Sequence, residues 1–294
     1  MIFRISLDHE EFRLRQKTLE LEGIVDFPVQ VAYTDIGNGE PIVLLHGIPT
    51  WSYLYNDVIP QLAEHYRVIA PDFLGHGWSD RRDRFDRSLV TQAKMVLRFL
   101  DALNLDRVNL VGHDTGGGVS LILAIKALER IDRLVLANIV AYDSWPIDDM
   151  LMLGHPLWKH KSVSEIVDYL VEGLSDGISR PERLTPKFKE GIVAPYSNEE
   201  GKISLIRNAS ALNTNHTMAL VDRHSMIAAP TLLLWGVDDP WQRIEDGERL
   251  AQEIPHAKLV RVERASHWIP QDAPDEFAQE VHAFLQATPD VSRD

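Results

Sequence analysis

The segment Arg107-Val108-Asn109-Leu110-Val111-Gly112-His113-Asp114-Thr115-Gly116 decides the fold. Its first half is a mostly apolar run that reads as a buried strand. Residues 115–130 read as a helix. Between them lies Gly112-x-Asp114-x-Gly116, the spacing of a tight strand-to-helix elbow with one exposed central side chain. An Asp before a helix is also an ordinary N-cap, so the elbow alone assigns no role. As a nucleophile, a carboxylate has restricted chemistry. Attack on a carbonyl gives an anhydride, a poor intermediate. Attack on saturated carbon displaces a leaving group and leaves an alkyl ester that water cleaves. Asp114 therefore points to electrophilic sp3 carbon, as in alkyl halides and epoxides, rather than to ordinary esters or amides. Gly116-Gly117-Gly118 permits close helix–strand approach. No Lys-Ser or Lys-Thr follows it, so it is not a phosphate loop.

Outward from the elbow, strand-like and helical patterns alternate. Upstream, residues 18–21, 29–34 and 41–45 are strand-like, and Gly37-Asn38-Gly39 marks a turn between the last two. This predicts an antiparallel start to a sheet. A helix over 53–65, a strand over 67–71 and an amphipathic helix over 88–103 follow. Downstream come a strand over 133–137 and, after a gap, a strand at 231–235, a helix at 244–254, a strand at 258–262 and a helix at 274–285. Such alternation predicts an α/β fold with a mostly parallel sheet covered on both faces. The rhythm breaks after Val140. Residues 141–222 hold helical patches with Pro and Gly stops and no clear strand. The predicted organisation is a core from residues 1–140 and 226–294, with a helical cap, 141–225, inserted. The tail, 287–294, is expected to fray.

Composition sets bounds. A chain of 294 residues, 45% hydrophobic and 25% charged, is long enough for one large soluble core with an insertion. The net charge of −14 and the absence of a Lys/Arg block exclude nucleic acid and anionic membrane as expected partners. With no Cys, disulfides and thiol catalysis are out. The N-terminal stretch soon meets Asp8, Glu10 and Glu11 and shows no secretory signal or span, so the expected location is cytoplasmic. His46, His76, His113 and His267 fall near predicted loop ends without metal-ligand spacing, so neither metal nor cofactor is expected.

A carboxylate nucleophile needs a base to activate water, an acid to orient that base, and donors for an oxyanion. His267 lies just after the last predicted strand, at the sheet end where such sites form. Its expected role is to deprotonate the water that attacks the Asp114 ester. After the strand ending at Trp235, Gly236-Val237-Asp238-Asp239-Pro240 offers two carboxylates, although Asp and Pro also simply favour turns. His46-Gly47-Ile48-Pro49 follows another strand and can turn a backbone N–H toward the elbow.

Together these residues resemble the aspartate-nucleophile branch of the α/β-hydrolases, haloalkane dehalogenases first and epoxide hydrolases next. The likeness is carried by residues 46–55 (HGIPTWSYLY), by residues 67–80 (RVIAPDFLGHGWSD) and by the elbow. It spans roughly 17–140 and 226–286 and is weak through the cap. The resemblance implies Asp239 as the acid, His267 as the base, and the N–H groups of Ile48 and Thr115 as oxyanion donors. It also exposes departures. Dehalogenases usually place a halide-binding Trp directly after the nucleophile, where this chain has Thr115. Many use Asn where it has Ile48. Cap candidates for the missing donor are Trp145 and Trp158. Epoxide hydrolases use cap phenols, or a His and a Tyr, to protonate the opening ring; Tyr169 and His216 are the candidates, with Tyr196 also in the cap and Tyr142 at its edge.

The expected function is thus a cofactor-free hydrolase that acts through an Asp114 alkyl ester, dehalogenase-like, on a small apolar electrophile and water. Epoxide hydrolysis is the alternative within that chemistry. A non-catalytic binder of small ligands on the same fold is the alternative outside it, with esterase-like or carbon–carbon-bond chemistry a third. Oligomeric state is not legible.

Overall fold

The computed structural model describes residues 7–287. The predicted frayed tail therefore lies, Ala287 aside, outside the described residues. Eight strands among the described residues form a single sheet in the order β1-β2-β4-β3-β5-β6-β7-β8. They are β1 Lys17–Leu21, β2 Val29–Ile36, β3 Pro41–Leu45, β4 Arg67–Pro71, β5 Val108–Asp114, β6 Ile131–Ile139, β7 Thr231–Gly236 and β8 Ala257–Val262. β2 pairs antiparallel with both β1 and β4, and every other pairing is parallel.

This corrects one expectation. The three N-terminal strands do not all pair in sequence; β3 leaves β2 and inserts between β4 and β5, parallel to both. The residues explain the move. In β3 everything from Ile42 to Leu45 is buried, whereas β1 is largely exposed. A run that is apolar on both faces belongs in the middle of a covered sheet, and a polar run belongs at its edge. Within β3 the side chains alternate. Ile42 and Leu44 join Val68, Val111, Val135 and Leu234 in one core cluster. Val43 and Leu45 join Ile69, Leu110, Leu134 and Leu233 in the other. The period of two distributes one apolar strand between two cores.

The helices follow local signals, with two departures. A short α1, His9–Arg15, precedes β1 and starts at Asp8, whose side chain accepts the Glu11 N–H; its two turns give too little periodicity to be seen in advance. The helix expected over 53–65 is instead a 3-10 turn, Ser52–Tyr55, followed by α2, Ile59–Leu62. Pro60 tolerates only the first turn of a helix, so α2 begins beside it. α3 is Leu89–Ala102, capped by Ser88. α4, Thr115–Lys126, is buried from Thr115 to Ile125 and packs on β5, β6 and α3.

Between β6 and β7 the described chain is helical: α5 Asp148–Leu153, α6 Val163–Asp176, α7 Pro186–Val193, α8 Glu199–Ser210 and α9 Asn215–Met218. Leu153, Ile166, Leu170, Tyr196 and Leu205 form a separate small core among them. Its last part, α9 and the turn Val221–Met226, packs back on α4. α10 Ile244–Glu253, α11 Ile269–Asp272 and α12 Pro274–Gln286 complete the sheet's cover. Among the described residues no helix is long and apolar enough to cross a membrane.

Candidate active site

Asp114 is the last residue of β5, and α4 begins at the next residue. Its backbone is left-handed in φ, 52°, with ψ −123°. A non-glycine residue in this conformation costs about 1–3 kcal/mol, here held by packing on every side. A Cβ on Gly116 would stand 2.3 Å from the Leu45 carbonyl oxygen, so only glycine lets α4 cross β3 this closely. The Asp114 side chain does not cap the helix. Its Oδ1 instead accepts the Ile48 N–H at 2.8 Å, and the Thr115 N–H also hydrogen-bonds the carboxylate. A Cβ on Gly47 would stand 2.2 Å from that Oδ1. The two expected oxyanion donors and the elbow carboxylate therefore meet.

His267 and Asp239 reach the same place from the ends of β8 and β7. His267 Nε2 lies 3.8 Å from Asp114 Oδ2, too far for a hydrogen bond. Its Nδ1 donates to Asp239 Oδ2 at 2.9 Å. Asp239 Oδ1 accepts the N–H groups of Trp241 (2.8 Å) and Gln242 (3.0 Å). Asp238 faces elsewhere and accepts the Ser179 hydroxyl at 2.7 Å, so the geometry separates the two carboxylates that sequence left side by side. All three groups are buried, at 5%, 6% and 2% exposure for Asp114, Asp239 and His267.

Burial sets the titration. It raises the Asp114 pKa, against the opposing pull of His267 and of the Thr115 and Ile48 N–H groups. For His267 burial acts downward, but the Asp239 and Asp114 carboxylates outweigh it and its pKa is raised. His113 is pushed well below its usual range by burial and by His267; neutral, it donates from Nε2 to the His267 carbonyl at 2.7 Å.

Asn138 is a supporting residue to which sequence gave no role. It is the penultimate residue of β6, with φ 42°, donates from Nδ2 to Asp239 Oδ2 at 2.7 Å and accepts the Gly236 N–H at 2.9 Å. Its sequence signal is only an Asn at a strand end, a residue type that tolerates positive φ.

Over these groups lies a cavity of about 320 Å³, roofed by α5, α6 and Trp145. It sorts the cap candidates. Tyr169 lines it, but its hydroxyl is held by Asp149 at 3.2–3.3 Å. Trp145 lines it too, yet its indole N–H is already given to Thr217 Oγ1 at 2.8 Å. Trp158 does not line it; it packs in the cap core, ring centroid 4.5 Å from Tyr169. His216 sits on α9, which docks on the core, and faces a separate groove beside Val90, Ile122 and Lys126. Tyr142 and Tyr196 point their hydroxyls at Glu253 and at the Thr50 carbonyl. Trp241 and Gln242 line the cavity unforeseen. Asp149, Glu172 and Asp176 are its exposed charged members, and no Lys or Arg is among its lining residues. Among the described residues no group of three or more His, Asp or Glu could hold a metal ion.

Comparison with known proteins agrees with this architecture. The profile described as alpha/beta hydrolase fold matches residues 40–274. The chain is 32% identical over 266 residues to haloalkane dehalogenase 2 of Mycobacterium bovis, covering 86% of this chain and 90% of that protein. It is 29% identical over 277 residues to the cis-3-alkyl-4-alkyloxetan-2-one decarboxylase of Shewanella oneidensis, covering 87% and 85%. An alpha/beta hydrolase fold protein from Burkholderia ambifaria superposes with a TM-score of 0.82 at 26% identity, over 90% of this chain and 98% of that one. With an eight-stranded, mostly parallel sheet in this order and a match over most of its length, the chain belongs to the α/β-hydrolase fold family.

Proposed function

We propose that this hydrolase cleaves a bond at electrophilic saturated carbon through an ester on Asp114, and that it is dehalogenase-like. One observation carries the reading. Asp114 Oδ1 is engaged by the backbone N–H of Ile48 at 2.8 Å, while Oδ2 faces His267 Nε2 across 3.8 Å under a largely apolar roof. One oxygen is tethered and the other is free to attack.

In the first step Oδ2 forms a bond to the substrate carbon, and the leaving group departs with the electrons of the broken bond. In the second, His267 Nε2 takes a proton from water as its oxygen adds to Asp114 Cγ. The resulting oxyanion stays on the Ile48 and Thr115 N–H groups. Collapse releases the alcohol, protonated by His267, and the proton left on the added oxygen passes to solvent, which restores the Asp114 carboxylate. Asp239 stabilises the imidazolium between these events. Net, substrate and water give an alcohol and the acid of the leaving group.

The 32% identity to a dehalogenase supports the halide side. The epoxide side has less support, since Tyr169 is the single phenol of the three cap tyrosines that lines the cavity. The relative named for an oxetan-2-one adds a third electrophile, because that strained ring also carries a saturated C–O carbon.

Intact-protein mass after incubating a His267→Gln variant with 1,2-dibromoethane, styrene oxide or a cis-3,4-dialkyl-oxetan-2-one tests this. Blocking the water step traps the ester, and an adduct lost on Asp114→Ala identifies the nucleophile. An adduct from the bromide alone supports the dehalogenase reading. Adducts from the other electrophiles alone move the activity to them. None from any of the three defeats the alkyl-ester proposal and favours a binder.

A further inference from the structure

We infer that Trp241 and Gln242, on the loop that carries the acid, form the donor site for an anionic leaving group. This deepens the Asp114 reading and rests on it. A leaving anion in a dry cavity needs hydrogen-bond donors, and no Lys or Arg lines this one. The side-chain N–H and O–H donors that do line it can be taken in turn. The Thr115 side chain hydrogen-bonds Asp114. The Trp145 indole is committed to Thr217 and the Trp268 indole to the Leu174 carbonyl. The Tyr169 hydroxyl is committed to Asp149. The His267 Nδ1–H is committed to Asp239. Trp241 and Gln242 are left.

Their main-chain groups are hydrogen-bonded, and their side-chain N–H groups have no hydrogen-bond partner among the described residues. Both N–H groups are held by Asp239 Oδ1, and the Gln242 carbonyl accepts the Trp235 indole N–H at 2.8 Å. Gln242 is 3% exposed, and its Oε1 is buried without a partner. That orphan is an acceptor and does not receive the anion; what the cavity is offered is the amide NH2, which has no hydrogen-bond partner among the described residues. The Trp241 ring packs edge-on against His267, centroids 4.9 Å apart, which sets it beside the reacting groups. Amide and indole N–H are neutral donors, suited to hold an anion as it forms and to release it afterwards. As the substrate C–X bond breaks and Asp114 Oδ2 bonds to carbon, X leaves with the electron pair into these two N–H groups.

Two measurements test this, one independent of catalysis. Crystals of the wild-type protein soaked in sodium bromide should show anomalous bromine density within hydrogen-bond reach of Trp241 Nε1 and Gln242 Nε2. Density elsewhere in the cavity, or none in it, overturns the assignment. In the His267→Gln background, Trp241→Phe and Gln242→Leu should each slow ester formation by about tenfold or more. The slowing should be larger for chloroalkanes than for iodoalkanes, because the poorer leaving group needs its donors more. Equal slowing for all halides, or none, overturns it as well. Bromide seated on Trp241 with no ester from any alkyl halide would retire the Asp114 ester on halides while leaving the anion site in place.

Discussion

Asn138 donates its amide to Asp239 Oδ2 over 2.7 Å, the same oxygen that receives the Nδ1–H of His267 at 2.9 Å. This donor from β6 thereby fixes where Asp239 presents itself to His267. Removing it should leave Asp239 hydrogen-bonded only through Oδ1 and His267. Asn138→Gly retains the residue's positive φ and deletes only the amide. Its expected effect is a second step about tenfold slower, with ester accumulating during turnover, and a stability loss of about 1–3 kcal/mol from lost buried hydrogen bonds. Rapid-quench mass spectrometry and urea unfolding read the two effects separately. Unchanged partitioning between free enzyme and ester would show that Asp239 needs no help from β6.

Gly47 tests how tightly the nucleophile is held. A methyl group there would meet Asp114 Oδ1 at 2.2 Å and Cβ at 2.4 Å, so either the carboxylate or the Ile48 N–H must move. Displacements near 1 Å in a reacting group cost on the order of 100-fold. Gly47→Ala should therefore lower kcat/KM by roughly 100-fold while the far-ultraviolet dichroism stays native. Full activity in this variant would mean that the tether of Oδ1 to the 46–49 turn is dispensable.

The raised pKa values give a window in pH. Asp114 must be ionised to attack, and its pKa is raised from 3.8. His267 must be neutral to take a proton from water, and its pKa is raised from 6.5. As pH falls through the raised His267 value the second step is lost, and protonation of Asp114 removes the first. Ester should accumulate on wild-type protein as pH falls through the raised His267 value and disappear above it. Acid-quenched mass spectra across pH decide this. Conversion of the Asp114 carboxylate to a neutral ester also removes one of the charges that hold the His267 proton, which favours the base form when it is needed.

The meeting of Asp114, His267 and the Gly47-Ile48 turn was legible because each lies in a short stretch with its own backbone demand. Gly47, Asp114 and Gly116 must coincide in space, and the spacing shows it. The place of β3 was not legible from its turn, although its unbroken apolar character argued for the centre of the sheet. Cap residues were the hardest. Nothing local tells that α9 docks on α4 and carries His216 away from the cavity. Nor does it tell that Trp145 spends its N–H on Thr217, 72 residues later. Trp241 and Gln242 lay in view directly after the acid, but the turn reading of Asp-Asp-Pro hid them.

Asp272 offers a last test, of how the cap is joined to the catalytic loop. It is fully buried on α11 and accepts three backbone N–H groups: Ser179 and Arg180, each at 2.9 Å, and Ser266 at 2.7 Å. Two of the donors follow α6 of the cap, and the third directly precedes His267. One carboxylate thus pins the chain leaving α6 to the loop that carries His267. Asp272→Ala would strand those donors, one of them deeply buried. Hydrogen bonds to a charged group contribute about 1.5–3 kcal/mol each when buried, less where water can replace them. The expected loss is about 3 kcal/mol in urea unfolding with an unchanged m-value. Faster amide exchange at Ser266, and a weaker second catalytic step, should accompany it. Asp272→Asn keeps one acceptor and turns an NH2 against a donor, so it should fall between the two. A loss under about 1 kcal/mol with Ser266 still protected would mean that the neighbouring ties, Trp268 N–H to the Gly177 carbonyl at 3.0 Å and the Ser179 hydroxyl to Asp238, hold the joint by themselves.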